Sequence, residues 1–187
     1  DDPDLLKFYE ISYQPGISLC ILMEYGFADL LNYNEFRRNT NSIWQESELE
    51  VIRNQLSNQI LALEKYGIVH RDIKPNNIVI IKPGQFKIAD FSFAEKLENS
   101  KKNEPVRYVG TRDYCAPEIE RLAGNKNHPT KTIDLVKADI FSLSMTLRKL
   151  IEWIPNQDYL SGFPSKLEYL ESKRDLFPPP GFNWDKD

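Results

Sequence analysis

Cysteine is scarce in this chain, and long hydrophobic runs are absent. Cys20 and Cys115 are the only cysteines among 187 residues, too few and too far apart for a disulfide framework or a zinc site. We expect both to be free thiols in a reducing compartment, which favours an intracellular, cytoplasmic protein. No apolar segment approaches the ~20 residues of a transmembrane helix, and no signal-peptide pattern is found at the start, so no membrane partner is expected.

The chain also lacks a strong charge of either sign. Lys and Arg number 24 against 28 Asp and Glu, which gives a formal net charge of −4. This balance predicts no general affinity for nucleic acid or for anionic membranes. With 41% hydrophobic and 28% charged residues, the composition is typical of a folded globular chain and argues against disorder. The length suffices for one sizeable core, or for one domain and part of another.

The most informative segment is residues 70–77, whose sequence is HRDIKPNN. It places a carboxylate (Asp72), an ammonium (Lys74) and a carboxamide (Asn77) at fixed offsets, and Asp90 follows a short apolar segment. Asp72 could accept the proton of an attacking hydroxyl, while Lys74 could neutralise charge on a transferring phosphoryl group. Asn77 and Asp90 carry the oxygen ligands that Mg²⁺ prefers. The pattern therefore predicts phosphoryl transfer.

Four segments of the chain, in order, resemble the motifs of the protein kinase family. They are ILMEYG at 21–26, similar to the last small-lobe strand and hinge; the catalytic-loop and Asp-Phe pattern at 70–91; GTRDYCAPE at 110–118, similar to the end of an activation segment; and DIFSLS at 139–144, similar to the head of a long buried helix. The resemblance covers roughly residues 5–154. Lys74, two residues after the catalytic aspartate, is the form found in serine/threonine kinases.

The resemblance implies an α+β protein-kinase-like fold that is mostly the helical C-terminal lobe. Residues 1–26 would be a remnant β-hairpin and the hinge of the N-terminal lobe, residues 27–154 the large lobe, and residues 155–187 its continuation or an extended tail. The sequence has no counterpart of the Gly-rich phosphate loop, the strand lysine or the glutamate that pairs with it. We therefore expect a partial kinase domain that has little activity by itself.

The same resemblance implies a role for each motif residue. Asp72 is expected to be the catalytic base, Lys74 to stabilise phosphate charge, and Asn77 and Asp90 to bind Mg²⁺ beside ATP. Thr111 is expected to bridge Asp72 and Lys74 and to favour serine or threonine acceptors on protein substrates.

Four further residues are expected in the ATP site by the same resemblance. Met23 falls where kinases gate the back of the adenine pocket. Glu24 and Gly26 fall where hinge backbone groups meet the adenine edge. Asp29 could bond the ribose hydroxyls.

Supporting and regulatory residues are also implied. His70 is expected to be buried and hydrogen-bonded without an acid–base role, Asp139 to accept hydrogen bonds from the catalytic-loop backbone, and Glu118 to be structural. Arg71 is expected to pair with a phosphate on the activation segment, which would make an upstream activating kinase a partner. Tyr108 is our hypothesis for the activating phosphosite.

One departure from the family pattern keeps alternatives open. The family's Asp-Phe-Gly is Asp-Phe-Ser at residues 90–92, and glycine permits φ values that serine resists. Beside a serine/threonine protein kinase we therefore consider a catalytically inactive pseudokinase or binding module. A small-molecule kinase on a similar fold is a third hypothesis, which the peptide-platform segment 111–118 argues against.

Hydrophobic periodicity predicts the secondary structure. Strands are expected over residues 8–13, 17–24, 68–69, 78–81 and 86–89. Helices are expected over residues 28–38, 46–66 and 132–153, the last of them stopped by Pro155. Residues 95–107 are polar and lysine-rich and are predicted to form a mobile loop. The proline-rich run at 178–181 predicts extended or disordered surface.

Overall fold

The computed structural model describes residues 2–14, 16, 18–97, 106–123 and 133–152, and within them the chain has an α+β fold. The elements, in chain order, are β1 (Phe8–Gln14), β2 (Ser18–Met23), β3 (Ala28–Asp29), α1 (Leu30–Asn39), α2 (Glu46–Lys65), β4 (Ile68–Val69), β5 (Ile78–Lys82), β6 (Gln85–Ile88), β7 (Glu95–Lys96), α3 (Pro117–Glu120) and α4 (Leu135–Ile151). The predicted proline stop at Pro155 and the tail at 178–181 lie outside the described residues.

Helix α1 starts later than the predicted 28–38. Residues 28–29 instead form strand β3, in which Ala28 pairs with Ile80 of β5. Asp29 has an extended backbone, and its carboxylate accepts a 2.8 Å hydrogen bond from the Asn32 backbone N–H. An extended residue that caps a helix lies outside it. The apolar pattern missed this boundary because it carries no information about pairing with a strand some fifty residues away.

The main hydrophobic core lies where α2 and α4 pack against the β5–β6 hairpin. The helix predicted over 46–66 is confirmed to within one residue at its end. Its apolar stripe is buried as the three- and four-residue spacing requires; the members are Leu49, Ile52, Leu56, Ile60 and Leu63. This core supports the loop between β4 and β5, which carries the candidate site.

Two predictions near the C-terminal half need correction. Helix α4 begins at Leu135, because the Asp134 carboxylate caps its first turn through the N–H groups of Val136 and Lys137, each at 3.1 Å. Residues 133–134 therefore precede the helix, and the predicted end points at 132 and 153 lie outside the described residues. The predicted loop over 95–107 is wrong at residues 95–96, which form strand β7 and pair antiparallel with β4. Residues 98–105 lie outside the described residues.

The β1–β2 hairpin presents apolar side chains to solvent on the outside of this core. Its exposed members are Phe8, Tyr9, Ile11, Tyr13, Leu19, Ile21, Leu22 and Met23. Separately, in the described part of the chain we find no helix with the length and apolar character needed to span a bilayer.

Candidate active site

The loop between β4 and β5 is shaped by its own backbone. Pro75 opens a 3₁₀ turn over residues 75–77, closed by a 2.9 Å hydrogen bond from the Asn77 N–H to the Lys74 carbonyl. Proline suits this first position because its fixed φ matches the turn and its missing N–H costs nothing there. The turn places the side chains of Asp72, Lys74 and Asn77 on one side of the loop.

These three side chains meet Thr111 in one hydrogen-bonded cluster. The Thr111 hydroxyl donates to Asp72 Oδ1 at 2.8 Å and accepts from Lys74 Nζ at 2.8 Å. Lys74 Nζ also donates to Asp72 Oδ2 at 2.7 Å, and Asn77 Nδ2 donates to the same oxygen at 3.0 Å. Asp72 is only 3% exposed, so its charge is compensated by these donors and not by bulk water. The structure thus brings together all four residues predicted to be catalytic.

The oxygen atoms next to this cluster fit a divalent cation. The Asn77 side-chain amide donates two hydrogen bonds to Asp72, one to its carboxylate and one to its backbone carbonyl at 2.9 Å. The Oδ1 atom of Asn77 remains available to another partner. The Ala89 N–H donates to the Asn77 carbonyl at 2.8 Å. Asp90, which is exposed, is the next residue along the chain after this contact. No group of three or more His, Cys, Asp or Glu in the described ranges could hold a metal. A cation here would therefore also need phosphate and water oxygens.

His70 is a packing residue, as expected. Its side chain is fully buried, its Nε2 lies 2.9 Å from the Ala89 carbonyl, and its ring meets Phe91 edge-on at 5.0 Å between centroids. Burial lowers the pKa of the His70 imidazole, and the Ala89 carbonyl and the charges of Asp72 and Asp90 only partly oppose this. A neutral imidazole thus links the loop to the start of the Asp-Phe-Ser segment.

Asp139 anchors the start of the loop between β4 and β5. Its two carboxylate oxygens accept hydrogen bonds from the backbone N–H groups of His70 at 2.6 Å and Arg71 at 2.7 Å. This confirms the predicted contact. Burial raises the pKa of Asp139 to about 6, against the lowering effect of the two N–H donors and the Arg71 charge. The contact joins α4 to the loop and fixes where the loop begins.

The residues predicted for the nucleotide site lie along β2 and the segment after it. Met23 is 40% exposed, and Gly26 lies so close to β5 that a Cβ there would come within 2.9 Å of Val79 Cβ. Asp29 uses both carboxylate oxygens on Asn32 (Oδ1 on the backbone N–H, Oδ2 on Nδ2 at 2.6 Å). Contact of Asp29 with a ribose therefore stays a prediction.

Comparison with known proteins shows the family of the chain. Residues 1–159 match the family described as "Protein kinase domain". The chain belongs to the protein kinase family. This kinase chain is 34% identical over 144 residues to serine/threonine-protein kinase pakG of Dictyostelium discoideum, which is 77% of this chain and 11% of that protein. It is 32% identical over 155 residues to cell division control protein 7 of Schizosaccharomyces pombe, or 83% of this chain and 13% of that protein.

A third relative differs from these two in the specificity that its name states. The kinase chain is 35% identical over 147 residues to the dual specificity mitogen-activated protein kinase kinase dSOR1 of Drosophila melanogaster, which is 78% of this chain and 33% of that protein. The chain thus spans only about a tenth to a third of the length of these three relatives. The resemblance drawn from the motifs is confirmed at the level of the family.

Sequence reasoning missed Lys87, which is tied to the predicted hinge of the kinase chain. Its side chain is 3% exposed, and its Nζ donates to the Leu5 carbonyl at 2.9 Å, to the Pro3 carbonyl at 3.3 Å and to Glu24 Oε2 at 3.0 Å. Burial alone would raise the pKa of Glu24, but Lys87 and the Lys7 N–H hold it below its usual value. The available signal is a lysine between the apolar residues Phe86 and Ile88 of β6.

Sequence reasoning also missed the partner of Arg71. The Arg71 guanidinium forms an ion pair with Glu95 of β7 and donates a 2.5 Å hydrogen bond to the Arg107 carbonyl. The family resemblance implies an activation-segment phosphate at this guanidinium. Glu95 lies in a segment that the sequence predicts to be a loop, so local patterns do not indicate this ion pair. Tyr108 is exposed, and its phosphorylation remains a prediction.

Proposed function

We propose that this chain contributes the catalytic loop of a serine/threonine protein kinase that transfers the γ-phosphoryl group of ATP to hydroxyls of protein substrates. The observation that supports it most is the cluster in which Asp72, Lys74 and Thr111 contact one another at 2.7–2.8 Å. A carboxylate, an ammonium and a hydroxyl held together suit phosphoryl transfer, in which the protein mainly positions groups and stabilises charge.

Each residue has a part in this proposal. The substrate hydroxyl oxygen forms a bond to the γ-phosphorus as the bond from phosphorus to the bridging oxygen breaks, and ADP leaves. Asp72 orients the hydroxyl and takes its proton. Lys74 faces the charge on the transferred group; a unit charge about 4 Å away interacts by roughly 4 kcal/mol at an effective dielectric near 20.

Magnesium is the cation that suits the oxygen atoms offered by Asn77 and Asp90. When bound, it would neutralise charge on the β- and γ-phosphates. The chain itself positions Asn77 through two hydrogen bonds to Asp72. It positions Asp90 through the backbone hydrogen bond from the preceding residue, Ala89, to the Asn77 carbonyl. The segment from Met23 to Asp29 is proposed to meet the adenosine.

The test is transfer of label from ATP to peptides by the natural polypeptide that contains this chain. Asp72→Asn keeps the size of the side chain but removes the base, and we expect its rate to fall by about 10²- to 10⁴-fold. Asp4→Asn is the matched control, because Asp4 is an exposed aspartate in the N-terminal segment. Its rate should stay within about twofold of wild type, as for surface substitutions.

Other outcomes would favour the other hypotheses. Wild-type protein that binds ATP but labels no peptide would be a pseudokinase or binding module. Label in a small metabolite but in no peptide would indicate a small-molecule kinase. Peptides with a serine, a threonine or a tyrosine as the sole acceptor should be compared directly, because one relative is described as having dual specificity. We expect the serine and threonine peptides to be labelled.

A further inference from the structure

We propose that Glu95 is a positioning residue of this kinase site. Its carboxylate holds the Arg71 guanidinium, and through Arg71 it holds the segment that leads to Thr111, independently of phosphorylation of that segment. The consequence for catalysis rests on the proposed function. The consequence for the order of the segment does not depend on that function.

Strand pairing fixes the position of Glu95. In the antiparallel pair of β4 and β7, Glu95 stands opposite Val69, two residues before Arg71. A further backbone hydrogen bond of 2.8 Å, from the Leu97 N–H to the Gly67 carbonyl, extends the pairing beyond the strands. Backbone hydrogen bonds between β4 and β7 therefore fix the position of the Glu95 carboxylate next to the catalytic loop.

Arg71 links three separate parts of the chain. Its backbone N–H donates to Asp139 of α4 at 2.7 Å, its Nη1 contacts Glu95, and its Nη2 donates to the Arg107 carbonyl at 2.5 Å. The Arg71 side chain is only 9% exposed. A guanidinium buried to this degree needs a compensating anion, and Glu95 supplies it.

The segment that Arg71 holds ends in the catalytic cluster. Arg107 precedes Thr111 by four residues, and the Thr111 hydroxyl contacts Asp72 and Lys74. Gly110, with φ of +100°, lies so close to the loop that a Cβ there would be 2.5 Å from the Arg71 carbonyl oxygen. Both ends of residues 107–111 therefore rest on the catalytic loop, one through Arg71 and one through Asp72.

The charges around Arg71 disfavour a phosphate at the same place. Glu95 already neutralises the guanidinium, Asp72 is the next residue in sequence, and Asp139 accepts a hydrogen bond from the Arg71 backbone N–H. A phosphate carries nearly two negative charges at neutral pH, so it would have to displace or repel these carboxylates. The structure is thus suited to an activation segment that is ordered without phosphorylation.

The experiment compares Glu95→Gln with wild type and with Lys96→Gln in the natural polypeptide, after phosphatase treatment verified by mass spectrometry. Lys96 is the matched control because it is the exposed neighbour on the same strand. One readout is amide hydrogen exchange of residues 106–111. The other is kcat and KM for peptide and for ATP, since general destabilisation would not single out the peptide parameters.

We expect dephosphorylated wild type and Lys96→Gln to keep both their activity and the protection of 106–111. Glu95→Gln should exchange about tenfold faster there and lose about tenfold in kcat/KM for peptide, as for a lost charged hydrogen bond, with KM for ATP unchanged. In an Arg71→Gln background the Glu95 substitution should add little, because the two act as a pair. These readouts together separate a positioning role from a general loss of folding.

Two results would overturn the proposal. One is loss of activity or protection on dephosphorylation of wild type; the other is a Glu95→Gln protein indistinguishable from Lys96→Gln in hydrogen exchange. If wild type transfers no phosphate to any peptide, the proposed function fails. The hydrogen-exchange comparison would then still decide whether Glu95 orders the segment through Arg71.

Discussion

The hydroxyl of Thr111 donates a 2.8 Å hydrogen bond to Asp72 Oδ1, across 39 residues of sequence. Lys74 closes a triangle, since its ammonium donates to both the hydroxyl and the other carboxylate oxygen. Each of the three groups thereby fixes the orientation of the other two. Residues 107–111 are held at one end by Arg71, and the Thr111 hydroxyl joins their other end to Asp72, the candidate base.

Removal of the Thr111 hydroxyl should therefore disturb the site while preserving the fold. We expect Thr111→Val, which has nearly the same shape, to lower the peptide phosphorylation rate by about 10- to 100-fold, because a charge-assisted hydrogen bond is lost. Thr111→Ser keeps the hydroxyl and should retain most of the rate. Equal rates for the two variants would show that the methyl group or the backbone, and not the hydroxyl, matters.

The glycine before Thr111 should be intolerant of a side chain. Gly110 has φ of +100°, and an added Cβ would lie 2.5 Å from a backbone oxygen. Gly84 has φ of +76° but nothing within 4 Å of such a Cβ. Gly84→Ala should cost about 1 kcal/mol of unfolding free energy from backbone strain alone, and Gly110→Ala clearly more. Denaturant titration measures both, and equal costs would contradict the predicted clash.

Loss of the Lys87 ammonium should destabilise the chain. Lys87→Met leaves Glu24 with only the Lys7 N–H as donor and removes the lysine donor of two backbone carbonyls, and we expect a loss of about 2 kcal/mol in unfolding free energy. Lys82→Met is the control, because Lys82 is exposed on the neighbouring strand. Adding Glu24→Gln to Lys87→Met should recover part of the loss, since it removes the unpaired charge. No recovery in thermal or chemical unfolding would count against the ion pair.

The burial of His70 predicts that the stability of the protein depends on pH. Burial lowers the pKa of its imidazole below the ordinary 6.5, so the unfolded chain takes up a proton that the folded protein resists. The His70 contribution to the unfolding free energy is therefore fully present above about pH 7 and is lost as pH falls below about 6.5. Burial raises the pKa of Asp139 to about 6. The Asp139 contribution to the unfolding free energy therefore increases as pH falls below about 6, opposite to the His70 contribution.

The prediction is tested by comparing how the unfolding free energy of wild type and of variants changes with pH. The unfolding free energy of wild type should fall more steeply from pH 7 to pH 5.5 than that of His70→Gln. Val51→Ala, an exposed substitution that removes no titratable group, should follow the wild-type slope. A proton NMR titration that placed the His70 midpoint at or above 6.5 would show that the prediction has the wrong sign.

Local patterns predicted helix α2 and the two-residue strand β4 but missed strands β3 and β7. The α2 stripe was found because five apolar residues repeat at helical spacing, a signal contained within the helix. Strands β3 and β7 have two residues each and carry no periodicity of their own. They exist because backbone groups of β5 and β4 pair with them, which their own sequence does not encode in a recognisable form.

The sequence alone determined the family, the helical core and the identity of the four residues that meet at Asp72. It could do so because the motif keeps fixed spacings within one loop and because Thr111 lies in a second recognisable motif. Only the tertiary structure decided the partners of Arg71 and Lys87. Their contacts join residues 24 and 63 positions apart, and such pairings arise from strand register and burial, which act between segments and leave little trace in either one.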